Sequence, residues 1–186
     1  MECLNIEIKA ICKDQNKIRE ILISNNADFK GIDHQIDTYF KVNFGRLKLR
    51  EGDIENHLIF YDRENVSGPK GSRVILFDYD QGSYLKEILL KSLGQLVVVE
   101  KKREIFYIHN VKFHLDSVEN LGTFVEIEAT DKDRDIGKEK LLEQCNHYLK
   151  LFDIKEEDLL ADSYSDLLLS IDSYRNVILQ LSDVYI

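Results

Sequence analysis

The sequence predicts an α+β protein, a closed eight-stranded antiparallel β-barrel with flanking helices. Three observations predict it. Charged and aliphatic residues alternate in Asn5-Ile6-Glu7-Ile8-Lys9 and again in Arg46-Leu47-Lys48-Leu49-Arg50. The same spacing of two returns in Lys101 and Arg103, in His114-Leu115-Asp116 and in Glu126-Ile127-Glu128. Strand side chains alternate between faces, so each set projects its charges to one side and its leucines and isoleucines to the other. Second, short turn-like links separate the strands, which favours antiparallel neighbours. Third, eight such strands suit closure, which removes exposed edges and leaves a narrow interior able to hold one small ligand.

Taken in order, strands are expected near residues 3–12, 35–42, 45–51, 57–63, 72–79, 96–108, 111–118 and 123–130. Asp14 is placed to cap a helix carrying Ile18, Ile21 and Leu22 on one face, and Ser83 to cap one carrying Leu85, Ile88 and Leu89. A third helix is expected from about Asp135 to Phe152, with Leu141, Leu142, Cys145, Leu149 and Phe152 at helical spacing. Asn43-Phe44-Gly45, His109-Asn110 and Glu119-Asn120-Leu121-Gly122 read as hairpin turns, and Ser67-Gly68-Pro69-Lys70-Gly71 as a loop. After Ser173, Tyr174, Val177, Ile178, Leu181, Val184 and Tyr185 recur at helical spacing. Residues 1–172 are therefore expected to form the barrel domain and 173–186 a helical extension. That apolar tail must be covered, by the aliphatic outside of its own barrel or by a second copy in a homodimer.

Composition narrows the function. The chain has 186 residues, 44% hydrophobic and 32% charged, with a formal net charge of −9. Nucleic acid and acidic lipid both demand a basic surface, so neither is an expected partner, and any basic site must be local and enclosed. No apolar run approaches the ~20 residues of a membrane span, and the start Met1-Glu2-Cys3 is no signal peptide. Cys3, Cys12 and Cys145 are widely spaced and odd in number, which fits reduced packing residues of a cytoplasmic protein.

The register that puts the charges inside encloses Glu7, Lys9, Asp37, Arg46, Lys48, Arg50, Arg63, Arg73, Lys101, Arg103, Asp116, Glu126 and Glu128. Two like charges ~6 Å apart at an effective dielectric near 20 repel by roughly 3 kcal/mol. Glu126 beside Glu128, with Asp116 opposite, therefore calls for a cation, and hard oxygen donors suit Mg²⁺ or Mn²⁺. The surplus of arginine and lysine calls for an anion, and arginine's planar fork suits phosphate oxygens. A nucleoside or inorganic triphosphate carrying a divalent metal answers both. The bland alternative is that these side chains pair with one another, or that the register is shifted and they face solvent. His114 shares a face with Asp116 but is read as a hydrogen-bonded structural residue outside the site, and Lys70 as a group near the mouth of the barrel.

These segments carry a resemblance. The chain resembles the CYTH superfamily of triphosphate tunnel metalloenzymes, in its class IV adenylate cyclase-like branch, over roughly residues 1–170. The resemblance rests on Asn5-Ile6-Glu7-Ile8-Lys9, Gly45-Arg46-Leu47-Lys48-Leu49-Arg50-Glu51, Tyr61-Asp62-Arg63, Gly68-Pro69-Lys70, and Lys101-Lys102-Arg103 followed by Tyr107. It continues through His114-Leu115-Asp116, residues 121–128 and Ser163-Tyr164-Ser165-Asp166-Leu167-Leu168. The resemblance implies an eight-stranded tunnel in which Glu7, Glu126 and Glu128, with Asp116 in support, hold Mg²⁺ or Mn²⁺. Lys9, Arg46, Lys48, Arg50, Arg63, Lys101 and Arg103, with Arg73 added, would grip phosphates. Lys9 and Glu7 would be catalytic. The implied reaction is conversion of ATP to cyclic AMP and pyrophosphate. Hydrolysis of inorganic or thiamine triphosphate stands as the alternative, and plain nucleotide or polyphosphate binding behind it. The chain departs from the family's opening Glu-x-Glu-x-Lys at Asn5, which keeps an oxygen ligand and loses a charge.

Overall fold

The computed structural model describes residues 2–63, 66–132 and 135–182; the side chains of residues 2, 3, 63, 73 and 174–182 lie outside that description. The strands are β1 (Glu2–Ile11), β2 (Asp28–Phe40), β3 (Arg46–Gly52), β4 (His57–Arg63), β5 (Lys70–Asp78), β6 (Gln95–Ile108), β7 (Val111–Val118) and β8 (Gly122–Asp131). They close in the order β1-β5-β4-β3-β2-β6-β7-β8, and every neighbouring pair is antiparallel. The expected fold is thus present. Among the described residues the helices are α1 (Gln15–Ser24), α2 (Leu85–Leu93), α3 (Lys138–Leu151) and α4 (Tyr164–Ser182), with a 3₁₀ turn at Glu156–Asp158.

Alternation decides where the core sits. Ile6, Ile8, Ala10, Phe113, Leu115, Val125 and Ile127 pack with Ile18 and Leu22 of α1 and with Leu141 and Cys145 of α3. A second cluster joins Val97, Val99, Val118 and Phe124 to Tyr164 at the start of α4. Each large aliphatic buried there contributes about 1.5–3 kcal/mol. The first cluster lies on the strand faces opposite to the charges and is wrapped around the barrel, whereas the second continues the charged faces, with Val97 and Val99 preceding Lys101 and Arg103 on β6 and Phe124 preceding Glu126 on β8 at spacings of two. Cys145 donates its thiol to the Ile6 carbonyl at 3.3 Å, and burial pushes its pKa up to about 11, as a packing residue requires; Cys12 is also buried and free.

Asp14 caps α1 by accepting the Lys17 amide at 3.1 Å. Ser83 does not cap α2: its amide closes a turn on the Asp80 carbonyl, and the helix starts behind Tyr84 with no side-chain cap. Strand β2 begins seven residues before its expected start, because a bulge between Phe29 and Gly31 breaks the period of two. Lys70 is the first residue of strand β5 rather than a loop residue. It is 3% exposed, and its ammonium donates to the carbonyls of Leu160 and Ala161 at 3.1 and 2.9 Å. Helix α4 runs unbroken through residues 172 and 173. The apolar tail positions from Tyr174 onward fall outside the described side chains, and residues 183–186 outside the described chain. Among the described residues no helix is long and apolar enough to cross a membrane.

Candidate active site

The barrel encloses a cavity of about 170 Å³ lined by Glu7, Lys9, Asp37, Lys48, Arg50, Lys101, Arg103, Glu126 and Glu128, all placed inside by the sequence. Neighbouring strands set these groups opposite each other. Asp37 faces Arg50, Lys9 faces Glu126 and Glu7 faces Glu128, Arg103 faces Asp116, and His114 faces Glu126 while Lys112 faces Glu128. Of these cross-strand pairs, Glu7 and Glu128 alone combine two carboxylates, an arrangement that directly opposed strand positions disfavour.

Asp37 is the hub of one half. Its carboxylate accepts from Lys48 at 2.8 Å, from Arg50 at 2.8 and 3.0 Å and from Lys101 at 2.7 Å. Burial alone would raise its pKa, but Arg50, Lys101 and Lys48 outweigh burial and hold it well below the usual carboxylate range. Lys101 pays for this crowding: burial and the nearby Arg50 and Arg103 push its pKa far down against the pull of Asp37.

The other half centres on Glu126, which accepts from Lys9 at 2.9 Å, from Arg103 at 2.8 Å and meets His114 Nδ1 at 3.1 Å. Burial would raise the Glu126 pKa, yet Lys9 and Arg103 keep it ionised. Burial lowers the pKa of Lys9 against the opposing pull of Glu126, and the Lys9 ammonium lies 3.5 Å from the centre of the Tyr164 ring. His114 is likewise lowered by burial and by Arg103 and Lys112, which keeps the imidazole neutral.

Not every expected residue reaches the bore. Asp116 is fully buried, with its oxygens taken by Arg103 at 2.7 and 2.5 Å and by the Tyr164 hydroxyl at 2.7 Å; it braces Arg103 from behind. Arg46 stands at the rim, pairing with Asp166 at 2.9 Å. Arg63 and Arg73 fall outside the described side chains. Sequence reasoning missed Lys112, Glu55 and Tyr164, and set His114 aside, although all four line the cavity. Lys112 was legible, two positions before His114 on the same face. Glu55 and Tyr164 come from a loop and a helix start, where no period of two points inward.

The carboxylates on the cavity wall are hard oxygen donors of the kind a divalent cation takes. Glu7 opposes Glu128 across the strand pair, Glu126 follows on the same face, and Asn5 is hydrogen-bonded to Glu128 at 3.1 Å. Two buried polar atoms on the cavity wall, His114 Nε2 and Ser72 Oγ, have no hydrogen-bond partner among the described residues, as expected where a ligand supplies one. No group of three His, Cys, Asp or Glu side chains is drawn together into a ready cage among the described residues.

Fold and site together define a closed barrel with a charge-paired tunnel. The chain belongs to the CYTH domain family, which it matches over residues 4–164. It is 27% identical to a Methanocaldococcus jannaschii protein named as a candidate adenylate cyclase, over 88% of this chain and 98% of that one. A Pyrococcus horikoshii structure shares 24% identity over 88% and 98% of the two chains, with a TM-score of 0.66. A Vibrio parahaemolyticus structure described as a candidate adenylate cyclase shares 18% over 89% and 97%, with a TM-score of 0.72. A Hippeastrum structure, whose description reports a dominant triphosphatase activity for a candidate adenylyl cyclase, shares 14% over 91% and 96%, with a TM-score of 0.55. At these identities the solved structures speak for the fold.

Proposed function

We propose that this protein is a divalent-metal-dependent enzyme that holds a triphosphate in its tunnel and turns ATP into cyclic AMP and pyrophosphate. The observation that carries this reading is the convergence of Lys48, Arg50 and Lys101 on the single carboxylate of Asp37 at 2.7–3.0 Å. Three donors aimed at one set of anionic oxygens are also arranged for a phosphoryl group, and Arg103, braced by Asp116, extends the row. The named relative in M. jannaschii supports the cyclase arm.

Glu7, Glu126 and Glu128 are the residues that would hold Mg²⁺ or Mn²⁺; Asp116, expected beside them, is spent on Arg103 and Tyr164 instead. When bound, such an ion neutralises phosphate oxygens and polarises the attacked phosphorus. The chain's own groups do the positioning on which phosphoryl and nucleotidyl transfer mainly depend. Lys48, Arg50, Lys101 and Arg103 bind the phosphate chain. Lys9 orients the nucleophile or takes its proton, a role that its lowered pKa suits.

A triphosphate hydrolase is the second reading, and the cavity favours it: about 170 Å³ accommodates a phosphate chain but lies below the ~300 Å³ at which small-molecule sites begin. Parallel incubation with ATP, inorganic triphosphate and thiamine triphosphate in Mg²⁺ or Mn²⁺, with product identification, tests both. Cyclic AMP and pyrophosphate establish the cyclase, orthophosphate the hydrolase, and tight binding without product a non-catalytic binder. Turnover that survives a chelator overturns the metal assignment.

The Lys9 reading makes a prediction about pH. A base must be unprotonated, so the rate is expected to rise with pH through the lowered pKa of Lys9 and then level off. Lys9→Arg, which stays protonated, should lose that limb and fall by about 10²–10⁴-fold. A rate profile unchanged in the arginine variant would remove Lys9 from proton transfer.

A further inference from the structure

Glu55 belongs to the loop between β3 and β4, yet its side chain enters the bore. It accepts from Arg50 of β3 at 2.9 Å, from Lys112 of β7 and from Gln35 at 3.1 Å. In the barrel order β3 and β7 are separated by β2 and β6 on one side and by β4, β5, β1 and β8 on the other. Arg50 lies near the end of β3 and Lys112 near the start of β7, which in an antiparallel barrel is the same rim. A chain of ion pairs, Arg50 to Glu55 to Lys112, therefore crosses the tunnel from wall to wall at one end.

The loop that presents this carboxylate is built to stay still. Asp33, 0% exposed, accepts the backbone amides of Ile54 at 2.9 Å and Glu55 at 3.1 Å and the Gln35 side chain at 2.6 Å. Asn56 clamps Gly52 through both its amide and its carbonyl, at 3.0 and 2.9 Å. The fit is close: a Cβ on Gly52 would stand 2.7 Å from Asp33 Oδ1 and 2.8 Å from the Glu55 carbonyl. Burial would favour a neutral Glu55, but Lys112 and Arg50 hold its pKa far down, so the barrier carries a fixed negative charge.

We propose that Glu55 is the end stop of the tunnel and sets the length of phosphate chain accepted, admitting a triphosphate and rejecting long linear polyphosphate. Each further phosphate adds an anion that would have to pass a fixed carboxylate and displace it from the two cations it already satisfies. Asp33 is a positioning residue for the stop, acting through the loop backbone. This inference rests on the triphosphate reading of the tunnel above.

Calorimetric titration of the full chain with inorganic triphosphate and with long-chain linear polyphosphate tests it, on the natural protein and on Glu55→Ala and Glu55→Gln. The natural protein is expected to favour triphosphate by about tenfold or more, a difference of about 1.4 kcal/mol. The alanine variant should bind both chains to within a few-fold, and the glutamine variant, which keeps the bulk and loses the charge, should fall between. Thermal unfolding confirms that each variant is folded, and the near-isosteric glutamine variant keeps the test open if the alanine variant is not. A natural protein that binds both chains equally, or a preference unchanged in folded variants, overturns the end stop while the triphosphate reading stands. Absence of triphosphate binding to the natural protein overturns both.

Discussion

Replacing Asp37 by asparagine is expected to cost about 3–5 kcal/mol of stability, the usual effect of removing one partner from a buried charge network. For a chain of this size that is a fall of roughly 6–20 °C in the unfolding midpoint. The reason lies in the hub: Lys48, Arg50 and Lys101 all converge on this carboxylate, and asparagine leaves the three cations crowded without the shared anion. Inorganic triphosphate should raise the midpoint of the variant more than that of the natural protein, because it supplies the missing charge. The acid limb should also change. The folded pKa of Asp37 is depressed, so its contribution is complete above the unfolded value of about 4 and is lost as pH falls below that through the folded value. The asparagine variant should therefore show a flatter loss of stability below about pH 4. A variant that melts with the natural protein would show that the cations are balanced elsewhere.

Glu126→Gln is expected to lower metal-dependent turnover by about 10²–10³-fold, the scale seen when one preorganised electrostatic contact is removed from a transition state. Glutamine keeps the shape and an acceptor oxygen but takes away the charge that holds Lys9 at 2.9 Å and Arg103 at 2.8 Å. From the sequence, Glu126 stands as half of a repulsive pair whose neutralisation would relieve the fold. The structure changes that expectation, since its neighbours are cations, and a loss of about 1–3 kcal/mol in stability should accompany the loss of rate. Turnover and melting are measured on the same preparation. A folded variant with natural turnover would take Glu126 out of the machinery.

The tunnel was legible because a period of two is the strongest local signal a strand carries, and in β1, β3 and β8 it runs unbroken through Lys9, Arg50 and Glu128. It failed where the period is interrupted. The Phe29–Gly31 bulge hid the first part of β2. The same logic explains Lys70, which sits beyond a glycine and a proline and carries no visible alternation. What alternation could not show is how the charges settle among themselves. Of the two readings open at that stage, a self-paired interior and an interior arranged for a ligand, the structure contains elements of both: most cross-strand pairs are complementary, and Glu7 with Glu128 is not. Glu55 and Tyr164 were beyond reach for another reason. Their places depend on loop and helix packing between segments far apart in the chain, as in the bond from Tyr164 to Asp116 across 48 positions.

The placement of the larger hydrophobic cluster outside the strands has a bearing on how such a protein diversifies. The shell packed beneath α1 and α3 and the inner surface that chooses a ligand occupy opposite faces of the same strands. A substitution at an inner position such as Leu76 or Val74 can reshape the bore without opening a gap beneath α1 or α3. One barrel can then be refitted for different anions while its folding machinery is left intact, so kinship in fold and identity of substrate are free to part company.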